Sequence, residues 1–333
     1  MRRLLTAPLY RCPAAQAPRA LVATRGISSD FQLLRYELPA DKFGTRLEAF
    51  ESWLRVSGAT FEDLQFGLAE ASGWGSQGCC RIASSAIAKG SPVVEMPMAC
   101  LIRAETAHAT VLGDIADESG VDDNEGNLYL TLALLQLWAD QQDGLTPFFG
   151  PYMDILPRRL QQWPVFWSDS YLELLRGSPL VDAVAVRREE IQRDFAALQA
   201  SARRHYHRNG GSSANCGLSR ASLADFTVAE LTVCSRAFLV PGAGKGGRPG
   251  HCMVPLADML NTALPHTCDV DFNAHEGRDG SRVFVMRALR DIPKGAQVHD
   301  SYGYKSNGRY LLNYGFSFEK NERWVLLEYF SVA

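Results

Sequence analysis

The stretch that decides the fold is residues 301–316, SYGYKSNGRYLLNYGF. It contains four tyrosines, one phenylalanine and three glycines, but no histidine, cysteine or carboxylate. Acid–base and metal chemistry usually rely on the residue types that are missing here. The stretch therefore indicates either a turn followed by a core helix, or the aromatic wall of an active site.

A second polar signal lies at residues 255–261, PLADMLN, where Asp258 and Asn261 stand in an otherwise apolar run. Their spacing of three predicts that both lie on one face of a helical turn. A buried carboxylate needs partners, because an unpaired one in a core costs several kcal/mol. We interpret Asp258 either as a cap for backbone amides or, together with residues 301–316, as part of a site.

Composition limits the function classes. The chain has 333 residues, of which 46% are hydrophobic, so it can bury a sizeable core in one large or two smaller domains. Its formal net charge of −3 gives no reason to expect nucleic acid as a partner. The longest apolar run, residues 128–139, is too short to span a bilayer. None of the eight cysteines forms a C-x-x-C pair, so reduced thiols are expected.

Residues 1–29 differ in composition from the rest of the chain. They contain five arginines and no acidic residue, and the first carboxylate of the chain is Asp30. This composition, without a long apolar run, is typical of an organellar transit peptide and not of a secretory signal. The arginine content and the RGISS ending favour a mitochondrial location. A plastid or cytoplasmic location, and a basic tail without a targeting role, stay open as alternatives.

Beyond this segment, β-rich ends enclose a helical middle. Residues 30–103 begin with an amphipathic helix that stops near Gly58, and short strands between glycines and prolines follow. Residues 104–225 have mostly helical patterns, including a long helix over 181–208. Residues 226–333 return to short elements. The sequence therefore predicts an α+β fold in which a helical insert divides a β-rich domain.

The C-terminal part carries more local predictions. Thr227 and Glu230 have the spacing of a capping box, which predicts the start of a helix there. Residues 252–261 and 281–289 are strand-like in pattern.

Other motifs do not lead to a site. GAGKGGRPG (residues 242–250) contains a formal G-x-G-x-x-G, but Pro249 and another glycine follow it and no helix begins. We therefore interpret it as a surface loop. Four potential metal ligands have a spacing that fits none of the usual zinc patterns, so we expect no metal site. They are His251, Cys252, His266 and Cys268.

In order and separation, these segments resemble those of SET-domain protein methyltransferases. PLADMLN (255–261) is similar to the family's P-[LMW]-x-D-x-x-N-H, and residues 301–316 are similar to S/F-Y-G-x-[KR]-S-N…YGF. Residues 78–97 resemble the first SET strands. Residues 147–180 resemble the helical insert of the class typified by plant Rubisco large-subunit lysine methyltransferase and animal actin-histidine methyltransferase. The resemblance covers about residues 45–330.

The resemblance implies a SET fold, in which small curled β-sheets surround a C-terminal segment that threads under a loop, interrupted by a mainly helical insert. It also implies a protein N-methyltransferase that uses S-adenosylmethionine, most often on a lysine of a non-histone protein. Histidine acceptance is the alternative within the class. The protein substrate is then the expected partner.

Roles for individual residues also follow from the resemblance alone. Tyr302 is expected to be the catalytic tyrosine, and Arg236 is expected to pair with the methionine carboxylate of the cofactor. Tyr314 and Phe272 are expected to line the channel for the target side chain. The implied cofactor-binding residues are Gln77, Gly78, Cys79, Arg236, Asp258, Asn261, Thr262 and Tyr302.

The implied chemistry explains the composition of residues 301–316. Methyl transfer from a sulfonium to nitrogen is an in-line displacement, so alignment does much of the work. A lysine amine is protonated at neutral pH, and freeing its lone pair costs about 4–5 kcal/mol at pH 7. A narrow aromatic channel disfavours the ammonium form and lowers that cost without a strong base. Hydroxyl and carbonyl oxygens can hold the amine and the polarised methyl group.

Three departures from the family pattern leave an alternative open. Cys80 stands where the family has the second glycine of G-x-G, and Thr262 stands where it has histidine. The chain also ends soon after residue 316, so the class's C-terminal substrate-binding domain is expected to be absent. The alternative is a catalytically inactive SET-fold protein that binds a partner.

Overall fold

The computed structural model describes residues 40–68, 79–123, 126–145, 147–158, 160–276 and 282–321, with the backbone alone at 40–43, 67–68, 79–80 and 275–276. The predicted transit peptide, Gln77 and Gly78 lie outside the described residues. Cys79 is described only through its backbone, as the first residue of a strand.

Helices and short strands alternate in an α+β arrangement. The helices are α1 (Ala40–Val56), α2 (Ala104–His108), α3 (Val111–Ser119), α4 (Asn127–Gln142), α5 (Gly150–Met153), α6 (Asp169–Leu172), α7 (Pro179–Asn209), α8 (Gly217–Arg220), α9 (Leu223–Arg236) and α10 (Asn307–Tyr314). The strands are β1 (Leu64–Leu68), β2 (Cys79–Ala83), β3 (Pro92–Pro97), β4 (Ile102–Arg103), β5 (Ala237–Val240), β6 (Gly250–Met253), β7 (Asn261–Thr262), β8 (Val270–Glu276), β9 (Arg282–Ala288) and β10 (His299–Asp300).

The described strands form four small sheets, three of which pair strands that are distant in sequence. β1 pairs with β2, and two three-stranded sheets have the orders β3-β9-β8 and β4-β6-β5, all antiparallel. β7 and β10 form a short parallel pair. This last pair brings residues 261–262 beside residues 299–300, and so joins the two segments that the sequence singled out.

Helices α2 to α9 lie between β4 and β5 in the chain. α4 is apolar on nearly every side, as expected of a helix surrounded by others, and it packs against α2, α8 and α9. α7 begins at the N-cap Ser178 and ends at Gly210, which adopts the left-handed conformation typical of a helix C-terminus. One hydrophobic core includes side chains from these helices and from the strands. Among the described residues, no helix combines the length and hydrophobicity needed to cross a membrane.

The α+β arrangement predicted from the sequence is confirmed, but two local predictions are wrong. The capping box lies at Ser222 and Asp225, not at Thr227 and Glu230. Thr227 is already inside α9, where its hydroxyl donates to the carbonyl of Leu223 at 2.7 Å.

Residues 252–261 are not one strand either. β6 ends at Met253, and a turn of 3₁₀ helix at Ala257–Met259 follows. Between them Leu256 has φ 71° and ψ −49°, a strained conformation for a residue with a branched side chain.

Candidate active site

Tyr302 follows β10 directly and is held by residues near β7. Its backbone N–H donates to Oγ1 of Thr262 at 3.0 Å. Its phenol hydroxyl donates to the carbonyl oxygen of Leu260 at 3.4 Å. The segment that contains PLADMLN, together with Thr262 directly after it, therefore fixes both the backbone and the phenol hydroxyl of Tyr302.

Aromatic rings surround this phenol. The ring of Tyr314, in α10, stacks on Tyr302 with centroids 4.8 Å apart, and Phe316 lies edge-on at 6.5 Å. Gly315, with φ 76°, ends α10 and turns the chain so that Phe316 reaches this group. The fully buried Tyr310 donates its hydroxyl to the carbonyl of Gly303 in the loop after Tyr302. We call these four aromatic residues the tyrosine cluster.

The two stacked phenols are kept neutral. Burial raises the pKa of Tyr302 to about 12, with Arg236 opposing and Asp300 and Asp258 reinforcing the shift. Burial also raises the pKa of Tyr314 above that of an ordinary tyrosine. At neutral pH both hydroxyls therefore act as hydrogen-bond donors and acceptors and not as bases.

Arg236 and Asp258 form a buried ion pair beside Tyr302. Nη1 of Arg236 lies 3.2 Å from Oδ2 of Asp258 and donates to its backbone carbonyl at 2.8 Å. Oδ2 also accepts a hydrogen bond of 2.7 Å from the hydroxyl of Tyr152 in α5. Asp258 thus pairs with two side chains, and the interpretation of it as a cap for backbone amides is wrong.

Within this pair, each charge shifts the pKa of its partner in the direction opposite to that of burial. Burial raises the pKa of Asp258, while Arg236 and the Tyr152 hydrogen bond act in the opposite direction. Burial acts to lower the pKa of Arg236, but Asp258 and the two nearby tyrosines outweigh it, so that this pKa is raised. The guanidinium is consequently charged, and about a quarter of its side-chain surface (24%) stays exposed.

Asn261 does not share a face with Asp258, contrary to the prediction. Asp258 points into the core from the 3₁₀ turn, whereas the chain is extended from Leu260 onwards and the Asn261 side chain is exposed. The strained Leu256 precedes this change of direction. The amide of Asn261 makes no hydrogen bond to a described residue.

Phe272, predicted to line the substrate channel, belongs to a second aromatic group. Its ring packs against Phe238 at 5.1 Å and stacks on Phe284 at 5.4 Å. Among the described rings, none of this group packs against the tyrosine cluster. Phe238 lies two residues after Arg236, so the second group follows the ion pair directly in the chain.

Lys305 was not singled out in the sequence, but it lies in the wall of the candidate site. Its Nζ donates to the backbone carbonyl of Tyr302 and lies 5.5 Å from the centroid of the Tyr314 ring. Burial, and secondarily Arg309, lowers the pKa of this amine. An alkylamine beside these rings therefore loses its proton more readily than one in water.

Tyr152 and Asp300 were also missed. Tyr152 lies in a segment that resembles the family's insert, but no spacing rule connects it to Asp258, which is far away in the sequence. Asp300 is a carboxylate two positions after the apolar Val298 and two positions before Tyr302, which was a usable signal.

The cysteines and histidines considered as metal ligands do not gather. Nδ1 of His251 lies 2.8 Å from Oδ1 of Asn127, and Cys252 is buried in β6. No group of three or more His, Cys, Asp or Glu side chains among the described residues has a geometry suited to a metal ion.

Comparison with known proteins gives the family. The SET domain family profile matches residues 78–303, more than half of the chain. The actin-histidine N-methyltransferase of Canis lupus familiaris is 26% identical over 227 residues, which are 68% of this chain and 36% of the relative. That of Gallus gallus is 23% identical over 270 residues, which are 81% and 42%. The chain thus spans well under half the length of these relatives.

Solved structures support the same fold. The SET domain of LSMT bound to lysine and AdoHcy superimposes with a TM-score of 0.67 at 20% identity, over 84% of this chain and 58% of that one. Rubisco LSMT bound to AdoMet gives a TM-score of 0.63 at 21% identity, over 83% and 57%. These likenesses show the fold, and the profile match over more than half of the chain shows that it belongs to the SET domain family.

Proposed function

We propose that the protein is an S-adenosylmethionine-dependent protein-lysine N-methyltransferase that acts on a non-histone protein. The observation that carries the proposal is that the segment containing PLADMLN meets the tyrosine cluster at Tyr302. The Tyr302 phenol is neutral, bound to the Leu260 carbonyl and stacked on Tyr314. This geometry suits a reaction that needs alignment more than proton transfer.

The described residues fit the cofactor. Arg236 uses Nη1 for Asp258, whereas its Nε and Nη2 make no hydrogen bond to a described residue, so they can bind a carboxylate as a fork. Asn261 offers an exposed amide for further polar groups. When bound, S-adenosylmethionine supplies an electrophilic methyl group on a sulfonium. We assign Arg236, Asn261, Thr262 and the backbone around residues 77–79 to this binding.

The chain's own residues would prepare the acceptor amine. Tyr302 and Tyr314 present neutral hydroxyls and ring faces, and neither can serve as a strong base at neutral pH. The site would instead favour the neutral amine by excluding water, and burial likewise lowers the pKa of Lys305. The hydroxyl of Tyr302 and the carbonyl of Leu260 can orient the amine and the transferred methyl group.

A lysine acceptor suits the rings around Tyr302 better than a histidine acceptor. Tyr314 and Phe316 can pack against an alkyl chain, and Lys305 already places its own amine 5.5 Å from the Tyr314 ring centroid. A buried imidazole carries a second ring nitrogen that needs a partner, whereas an alkyl chain does not. Histidine is therefore the second candidate, supported by the actin-histidine N-methyltransferases among the relatives.

Thr262 argues against loss of activity. The family's histidine is replaced here by a threonine whose hydroxyl accepts the backbone N–H of Tyr302. The replacement thus has a function of its own in holding the catalytic tyrosine. This contact favours an active enzyme over an inactive partner-binding protein.

We also propose a mitochondrial location, since residues 1–29 are rich in arginine and free of acidic residues. The substrate is then sought among mitochondrial proteins, and fluorescence of the full chain with a C-terminal tag tests the location. A plastid or cytoplasmic signal would contradict it.

The activity is tested by label transfer. The full chain is incubated with S-adenosylmethionine labelled on its methyl group and with mitochondrial extract from cells that lack the gene. We expect label in methyllysine after acid hydrolysis, and a loss of about 100-fold or more for Tyr302→Phe. Tyr171→Phe, at a 63% exposed tyrosine on α6, is the control and should match the wild type.

Label found in methylhistidine would contradict the lysine assignment. No transfer, together with no binding of S-adenosylmethionine at millimolar concentration, would contradict the enzyme itself. A Tyr302→Phe variant as fast as the wild type would remove the role assigned to that phenol.

A further inference from the structure

The helical insert reaches the candidate cofactor site through the hydroxyl of Tyr152. The side chain is completely shielded from solvent and lies in α5. Its hydroxyl donates to Oδ2 of Asp258 at 2.7 Å, the same oxygen that lies 3.2 Å from Nη1 of Arg236. One carboxylate oxygen therefore connects a residue of the insert to the arginine that we assign to the cofactor.

The position of Tyr152 is itself fixed from two sides. Nε2 of Gln141 in α4 donates to the carbonyl of Gly150 at 3.2 Å and to Oδ1 of Asp154 at 3.0 Å, which lie on either side of Tyr152 in the chain. The ring of Phe50, in α1, stacks on the Tyr152 ring at 6.1 Å. The hydroxyl therefore presents a fixed donor to Asp258.

Asp258 depends on this donor more than a carboxylate with hydrogen bonds to both of its oxygens would. Its Oδ1 is buried and has no hydrogen-bond partner among the described residues. Both of its side-chain hydrogen bonds, from Tyr152 and Arg236, go to Oδ2. Without the tyrosine hydroxyl, Arg236 would be the only hydrogen-bond donor to the carboxylate among the described residues, and the guanidinium would turn towards it.

We propose that Tyr152 is a positioning residue for cofactor binding. Its hydroxyl fixes Asp258, and Asp258 then holds Nη1 so that the other edge of the Arg236 guanidinium faces the cofactor's carboxylate. A guanidinium binds a carboxylate well only when two of its N–H groups are aligned with the two oxygens. The inference rests on the proposed function, because it assumes that Arg236 binds the carboxylate of S-adenosylmethionine.

The test compares two ligands that differ only by that carboxylate. Dissociation constants of the full chain are measured by calorimetry for S-adenosylmethionine and for decarboxylated S-adenosylmethionine. Tyr152→Phe should weaken binding of the first about tenfold, as expected for a weakened contact between charged groups, and change the second less than about twofold. Tyr129→Phe is the matched control, since it removes from α4 a hydroxyl that donates to Asp117 at 2.5 Å.

A double-mutant cycle shows whether Tyr152 acts through Arg236. In an Arg236→Ala background, Tyr152→Phe should cause no further loss of S-adenosylmethionine affinity, because the group that it positions is gone. Asp258→Asn should reproduce the loss that is specific to the carboxylate. This second variant keeps the test decisive if Tyr152→Phe has a lowered melting temperature.

Three results would overturn the inference. The first is a Tyr152→Phe variant that weakens both ligands equally, which indicates a general effect on folding. The second is a variant with wild-type affinity for both, while Arg236→Ala still loses its preference for S-adenosylmethionine; the proposed function then stands. The third is a wild-type protein that binds neither ligand, or an Arg236→Ala variant with unchanged preference, which contradicts the proposed function as well.

Discussion

Replacing Asp300 by asparagine is expected to stabilise the protein near neutral pH and not in acid. Asp300 lies in β10, two residues before Tyr302, and is only 4% exposed. Burial raises the pKa of this carboxyl from 3.8 to about 7; the backbone N–H of Ser301 opposes the shift, and Asp271 adds to it. The folded protein therefore binds the Asp300 proton more tightly than the unfolded chain does.

The sign and size of the effect follow from this difference. A raised folded pKa contributes stability that is fully present below pH 3.8 and is lost as the pH rises through about 7. The window covers about three pH units, and each unit corresponds to about 1.36 kcal/mol, so the loss is at most about 4 kcal/mol. Asparagine carries no charge, and its Oδ1 can still accept the Ser301 hydrogen bond. The variant should avoid that loss.

Urea denaturation of both proteins between pH 4 and pH 8 measures the effect. The free energy of unfolding of Asp300→Asn minus that of the wild type should increase across this range and level off above pH 7. Asp269, His299, Cys268 and Arg290 lie nearby and are the same in both proteins, so the difference isolates Asp300. Asp271→Asn, at an exposed carboxylate, should give a smaller change of the same sign. A difference that is constant from pH 4 to pH 8 would refute the reasoning.

Two further substitutions test the geometry around the tyrosine cluster. Thr262→Val removes the acceptor of the Tyr302 backbone N–H, so kcat should fall roughly tenfold or more. Thr262→Ser keeps the hydroxyl and should retain activity. Equal rates for the two variants would contradict the role of this contact. Gly315→Ala should lower the free energy of unfolding by about 2–4 kcal/mol, because φ is 76° and the new Cβ would lie 2.9 Å from the Trp163 ring. Gly295 has φ 83° and open space around it, so Gly295→Ala isolates the backbone cost and should lower the free energy of unfolding by only about 1–2 kcal/mol. Equal melting temperatures of the two glycine variants would show that the steric argument is wrong.

The sequence predicted the parts of the site that depend on residue type and chain order. Residues 255–261 and 301–316 were expected to form one site, and the pairing of β7 with β10 brings them together. The neutral tyrosines follow from an aromatic, water-poor environment, which the composition of the second segment already indicated. The helical insert was evident because helical periodicity persists over a long stretch of chain.

What could not be predicted depends on tertiary contacts. Tyr152 binds Asp258 across more than a hundred residues, and an isolated tyrosine has no pattern that reveals its partner. The shared face expected for Asp258 and Asn261 failed because the 3₁₀ turn ends at Met259 and the chain is extended from Leu260 onwards, a boundary that periodicity does not encode.

The start of α9 is a different kind of error. The spacing S/T-x-x-D/E occurs twice in succession, at Ser222 with Asp225 and at Thr227 with Glu230. Both match the capping-box pattern, but only the first lies at the N-terminus of α9. Glu230 instead pairs with Arg187 of α7 at 2.6 Å. A local motif was therefore not enough to locate the boundary.

The most direct test of the account is an experimental structure of the full chain with S-adenosylhomocysteine. The account predicts that the ligand's carboxylate lies within hydrogen-bonding distance of Arg236. It also predicts polar contacts from Asn261 and a sulfur atom that faces the Tyr302 phenol. A ligand bound elsewhere, or a Tyr302 side chain directed away from its sulfur, would contradict the account.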